Sequence, residues 1–144
     1  MDFTQLSNKL KSIDILKMMD KAVLANKEEI LDANTSQLSK GKLSNENDIR
    51  PKYSTKEYAQ FKIALGSKAP FQTPNLLVTG EFYGGFYMKV DNDGYEVGSN
   101  VGHADSLQTQ YGSEIFGLTN KSKSDLKPQI KETLVKIIKD GLLR

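Results

Sequence analysis

The chain has 144 residues, 38% of them hydrophobic and 26% charged, which is enough apolar material to bury one core and excludes intrinsic disorder. It has no cysteine, which removes disulfides, thiolate metal sites and cysteine nucleophiles and suits a reducing compartment. The net charge of +2 is too close to neutral to argue for nucleic acid by itself. The expected organisation is one domain over residues 1–144, with a helical N-terminal segment at 1–41 and an α+β core at 53–144.

The N-terminus, MDFTQLSNKLKSID, alternates charged and apolar residues too often for a signal peptide, and no stretch approaches the ~20 apolar residues of a membrane span. A chain made and used in solution is expected. Phe3, Leu6, Leu10 and Ile13 recur at spacings of three and four, one face of a short helix. Ser12 can cap a second. From residue 14 to residue 39, Leu16, Met19, Val23 and Ile30, with Leu24, Leu31 and Leu38 beside them, predict one long helix ending near Gly41. About 26 residues at 1.5 Å each make a rod of about 39 Å.

Residues 42–51 are polar and read as a loop. Ser54 followed by Glu57 has the spacing of a capping box, opening a helix with Tyr58, Phe61 and Leu65 on one face and Gly66 as its stop. Pro70 and Pro74 hold an extended connection, and Thr79-Gly80 punctuates the chain. In the aromatic stretch that follows, counting by two places Phe82, Gly84, Phe86, Met88 and Val90 on one strand face and Tyr83, Gly85, Tyr87 and Lys89 on the other. The glycine gap marks a bulge or bend, a crossing helix lying close, or the approach of another subunit. DNDG, residues 91–94, signals a hairpin; a two-residue loop at Asp93-Gly94 sets Val90 opposite Val97. Calcium is excluded there, because the fifth and twelfth positions of an EF-hand loop are Tyr95 and Gly102.

Residues 104–111 predict a helix stopped at Gly112. After SEIFGLTN, the positions Leu126, Ile130, Leu134, Ile137 and Ile138 form the apolar stripe of a closing helix, with Pro128 in its first turns and Gly141 at its end. The fold class is therefore α+β: long N-terminal helices, a small antiparallel sheet built on a central β-hairpin, and a C-terminal helix packed on it.

The inventory for catalysis is thin. His103 is the one histidine, which leaves a triad or a histidine-rich metal centre poorly supported. No GxxxxGK[ST] or GxGxxG occurs, and GSNVG, residues 98–102, lacks the lysine of a phosphate loop. Glu28, Glu29 and Glu81 are candidates for a hydrolytic carboxylate pair only in the sense that such pairs meet in space rather than in sequence; solvated charges are the plainer reading. No cofactor, metal or catalytic residue is expected. The segment 119–144 carries seven basic residues against three acidic ones, +4, leaving −2 for the rest of the +2 chain. A solvated helix face explains this charge, and a surface turned toward phosphate is the alternative.

In their order, LLVTGEFYGGF, a hairpin ending VGSN, LQTQYG, and IFGLTNKSKSDLKPQIKETLVKII resemble the tail-completion or virion-morphogenesis (head-tail joining) proteins of tailed bacteriophages and prophages. The likeness covers residues 75–142. A charged R-x-F-L-G often precedes the last helix of that family, whereas here Ser113, Glu114 and Ile115 stand before Phe116-Gly117-Leu118.

The resemblance implies a structural, non-enzymatic virion protein, assembled in the bacterial host cytoplasm. It implies a homo-oligomeric ring at the neck or tail terminus, touching other neck, portal or tail proteins, without a membrane and with DNA passing through its lumen. Tyr83, Gly84, Gly85 and Tyr87 are the expected subunit contacts, and Lys127 and Lys131 the expected partner or DNA contacts. A small phage-associated hydrolase, marked by converging carboxylates, and a nucleic-acid-binding module, marked by steep salt dependence, are the competing classes.

Overall fold

The computed structural model describes residues 2–77, 80–91 and 94–143. Three helices, α1 (Phe3–Ser12), α2 (Ile15–Ala25) and α3 (Lys27–Ser39), precede a loop and α4 (Lys56–Ala64). A single helical turn, α5 (Glu81–Gly84), then leads into β1 (Phe86–Asp91) and β2 (Gly94–Ser99), followed by α6 (Ala104–Tyr111), a 3₁₀ turn (Ser113–Ile115) and α7 (Asn120–Leu143). The class is α+β, with one two-stranded antiparallel sheet among the described residues and a C-terminal helix packed on it through Leu126 and Ile130.

The expected 39 Å rod does not form. Asn26 is buried, and its Nδ2 donates to the Ala22 carbonyl at 2.8 Å and to Thr133 Oγ1 of α7 at 3.1 Å. A side-chain amide that competes for the carbonyl four residues back ends one helix and starts another. Apolar periodicity continues straight through this break and so cannot report it. The cap of α2 is Asp14, which accepts from the Lys17 N–H at 3.1 Å, whereas Ser12 donates its hydroxyl back to the Lys9 carbonyl at 2.8 Å.

The start of α4 also shifts by one residue: Thr55, not Ser54, accepts from the Tyr58 N–H, at 3.2 Å. Its buried side is Ala59 and Lys62, which leaves Phe61 and Leu65 facing outward, while Tyr58, partly exposed, sets its ring against Tyr53 at the edge of a recess. Gly66 closes it at φ +96°, where the absent Cβ removes the left-handed penalty.

The sheet begins later than alternation suggests. Residues 81–84 are helical, Gly85 caps them at φ −88°, and the strand starts at Phe86. The register pairs Met88 with Val97 and Val90 with Tyr95, two residues away from the expected Val90–Val97 pair. Two residues preserve parity, so the buried face of Phe86, Met88, Val90 and Val97 is the expected one. The pairing of Asp91 with Gly94 places the connection at positions 92 and 93. The expected turn at Asp93-Gly94 therefore falls partly outside the described residues, with Gly94 itself in β2.

Two apolar clusters share Phe86. One gathers Leu38, Leu43, Ile49, Leu76, Phe82, Ala104 and Ile115; the other gathers Val23, Ile30, Leu31 and Met88, with Leu118, Leu126 and Ile130 against them. Phe82, Phe86 and Phe116 link the clusters, with ring centroids 5.1–5.9 Å apart, Phe82 meeting Phe86 edge to face and Phe116 tilted against both.

A polar clamp runs between α3 and residues 115–119. Asn34, wholly buried, donates through Nδ2 to the Ile115 carbonyl at 3.0 Å and accepts through Oδ1 from the Gly117 N–H at 2.8 Å. Gln37, one helical turn on, donates to the Gly117 carbonyl at 3.0 Å and accepts from the Thr119 N–H at 2.9 Å. Two amide side chains thus meet alternate backbone groups as a neighbouring strand would. Thr119 is thereby positioned to cap α7, accepting from the Ser122 N–H at 3.1 Å.

Helix α7 consequently starts at Asn120, which puts Pro128 in its third turn, past the first four residues whose amides have no partner in the helix. The proline removes the N–H that would meet the Ser124 carbonyl; both residues are exposed, so water can take that carbonyl. Nor does Gly141 end the helix, which continues to Leu143. A Cβ there would lie 3.2 Å from Met18 Cε, so Gly141 instead lets α2 approach closely. Lys9 Nζ of α1 donates to the Leu142 carbonyl at 3.3 Å. Tertiary contact outweighs the roughly 1 kcal/mol that glycine costs a helix.

Candidate functional site

The four aromatic and glycine positions expected at a subunit contact do not share one surface. Tyr83 turns inward: its hydroxyl donates to the Asn75 carbonyl, its ring packs on the Phe82 cluster, and burial pushes the phenol well above its ordinary range. Gly84 is exposed, and a Cβ built on it meets nothing within 4 Å. Gly85 is buried, and its Cβ would lie 2.8 Å from Ser99 Oγ, Asn100 Oδ1 and Val101 Cγ1. Close approach is therefore real at Gly85, to the chain's own β2 and the loop after it. Tyr87 lies across from Gly98, whose Cβ would come within 2.6 Å of the tyrosine hydroxyl, so the ring covers a glycine in the partner strand. Lys89 Nζ sits 5.2 Å from the same ring centre.

Lys127 and Lys131 are exposed on α7. Lys131, Lys136 and Lys139 flank a shallow groove floored by Pro128 and Val135. Exposed lysines contribute little to folding. Replacing Lys127 and Lys131 together by glutamate should change stability by no more than about 0.5 kcal/mol in chemical denaturation.

The surfaces that sequence periodicity missed are the apolar ones left uncovered. On α1 and α2, Phe3 is 87% and Leu16 75% exposed, with Leu10, Ile15, Met19 and Leu24 also outward. On α4, Phe61 is 55% and Leu65 67% exposed, with Tyr58 and Ile63 beside them. These two surfaces belong to different parts of the fold: α2 packs along α7, whereas α4 faces α5 and α6 across a recess that the three line together. Periodicity marked the residues correctly as stripes. What it could not tell is that each helix buries a different side.

Two further cavities bear on the site. A groove of about 690 Å³ lies between α3, the hairpin and α7, lined by Val23, Ile30, Met88, Val97, Phe116 and Leu126 among others. The smaller recess beneath α4 gathers several titratable groups shifted by burial. Lys62 donates to the Leu77 carbonyl, and burial holds its ammonium below the usual lysine range. Burial pushes Tyr53 up to about 12, and raises Tyr111 as well. His103 lies at the rim of that recess, its ring 6.5 Å from Phe82.

Among the described residues, no group of three or more histidines and carboxylates gathers as a metal site, and no helix is long and apolar enough to cross a membrane. Comparison with protein-family models, curated proteins and solved structures found no match to the chain.

Proposed function

We propose that the chain is a structural, non-catalytic protein of a tailed-bacteriophage virion, assembling with identical copies into a ring at the tail terminus or neck that joins the tail to the DNA-filled capsid. The observation that carries the assembly part is the pair of uncovered apolar surfaces, α1–α2 on one side and α4 on another. Head-to-tail ring packing needs two different patches on one subunit, and contiguous exposed apolar side chains mark interaction surfaces. The phage part is supported by the order of LLVTGEFYGGF, VGSN, LQTQYG and IFGLTNKSKSDLKPQIKETLVKII along the chain. In this reading the lysines of α7 face DNA in the lumen or an acidic neighbour.

The test is the mass of the purified protein across a range of concentrations, with electron microscopy of any large species. Phe61→Asp with Leu65→Asp should abolish the large species and leave a folded monomer, because Ala59 and Lys62 on the buried side of α4 are untouched. In infected cells, Lys127→Glu with Lys131→Glu should lower the yield of filled, tailed particles, most strongly at low salt where screening is weakest. A monomer at every concentration, together with normal particle yield from both double variants, would overturn the reading.

A further inference from the structure

The recess beneath α4 has a volume of about 140 Å³, and its wall includes Tyr53, Tyr58, Lys62, Leu77, His103 and Tyr111. Lys62 is only 5% exposed. Its ammonium spends one N–H on the Leu77 carbonyl, which lies on the same wall, and no carboxylate among the described residues pairs with it in an ion pair. An ammonium has three donors, and a buried charge without a counter-ion costs several kcal/mol. Around it stand phenols rather than acids. Tyr53 and Tyr58 meet edge to face with ring centres 4.8 Å apart, and Tyr111 lines the same recess. Tyr53, Tyr58 and Tyr111 line the recess with Lys62, so phenol hydroxyls are the donors on its wall.

One positive charge and neutral hydroxyl donors define the missing group. A doubly charged phosphate would leave net negative charge in a desolvated site, whereas a carboxylate balances the ammonium and offers two oxygens to the remaining donors. The volume is close to that of a cavity that holds benzene, about 150 Å³. We infer that this recess binds a small monocarboxylate, with Lys62 as its counter-ion and the hydroxyls of Tyr58 and Tyr111 as further donors. The carboxylate comes either as a free small acid or on an acidic side chain of a second copy of this chain. Propionate, which reproduces the end of a glutamate side chain, probes both.

Thermal melting in sodium propionate, against sodium chloride at equal ionic strength, is the first measurement. The wild-type chain should melt higher in propionate, with saturation, since a ligand that binds only the folded state stabilises it. Lys62→Met, which removes the charge at similar volume, should show no propionate-specific rise, and Tyr58→Phe should require about tenfold more propionate. A second measurement does not depend on variants folding: the Cε resonance of the buried lysine in ¹³C-lysine-labelled wild-type protein. For a free acid it moves with propionate and not with protein concentration. For a carboxylate on a second copy it also moves with protein concentration, and propionate competes with association. A Cε resonance that responds to neither overturns the proposal, as does an equal propionate response from wild type and Lys62→Met.

Discussion

Replacing Asn34 with leucine is expected to destabilise the protein by about 2–4 kcal/mol, because it strands two buried backbone groups at once, each costing about 1–3 kcal/mol when left unpaired. The Ile115 carbonyl loses its donor and the Gly117 N–H loses its acceptor, both beside a side chain with no solvent exposure. Leucine fills the volume but satisfies neither. Asn34→Asp separates the two halves of the clamp: it keeps the acceptor for Gly117 but turns a carboxylate toward the Ile115 carbonyl. Burial and that carbonyl raise the new carboxyl's pKa above its unfolded value. Its charged form is therefore penalised in the fold, and the loss should be largest near neutral pH and shrink as pH falls through the raised pKa. Urea denaturation at two pH values measures both variants. A loss below about 1 kcal/mol for Asn34→Leu would mean that packing of Ile115 and Phe116 alone holds this segment.

Gly85→Val should cost about 1–3 kcal/mol, the range for forcing atoms into a packed site, since even the first added carbon lies 2.8 Å from three side-chain atoms. Ser99 Oγ cannot retreat freely, because it donates to the Phe82 carbonyl at 3.0 Å. Its neighbour provides the control. Gly84 is exposed at the end of a helical turn with open space around it, so Gly84→Ala should be neutral within about 0.5 kcal/mol. Thermal melting of the two variants side by side decides the matter. Equal melting points would show that the crowding around Gly85 relaxes without cost.

Several elements were legible because one local rule decides each of them. Gly41, Gly66 and Gly112 all take positive φ, at +77°, +96° and +95°, just past the ends of α3, α4 and α6. The buried face of the hairpin survives a wrong register, since alternation depends on parity alone.

Where the reading failed, a distant partner decided. Alternation carried back through Gly85 turned a helical turn into strand, and so placed Tyr83 on a surface when it bonds Asn75 instead. The stripe of α4 faces outward because Lys62 reaches inward to Leu77, fifteen residues along the chain. Asn34 did leave a signal, as a polar residue where the spacing from Ile30 to Leu38 asks for an apolar one. Its partners stand 81 and 83 residues away, beyond any local rule. Nothing in periodicity distinguishes a stripe that packs on its own chain from one awaiting a neighbour.

The clamp also changes what a hydrogen-exchange experiment on this protein would report. The N–H groups of Gly117 and Thr119 belong to no helix or strand, yet each is held by a side-chain amide of α3. Their deuterium uptake is gated by the lifting of α3 from residues 115–119, so the two should exchange at a shared, slow rate that times this one local opening. On a protection map they would mimic a strand where none exists. Asn34→Leu and Gln37→Leu would erase the signals of Gly117 and Thr119 respectively.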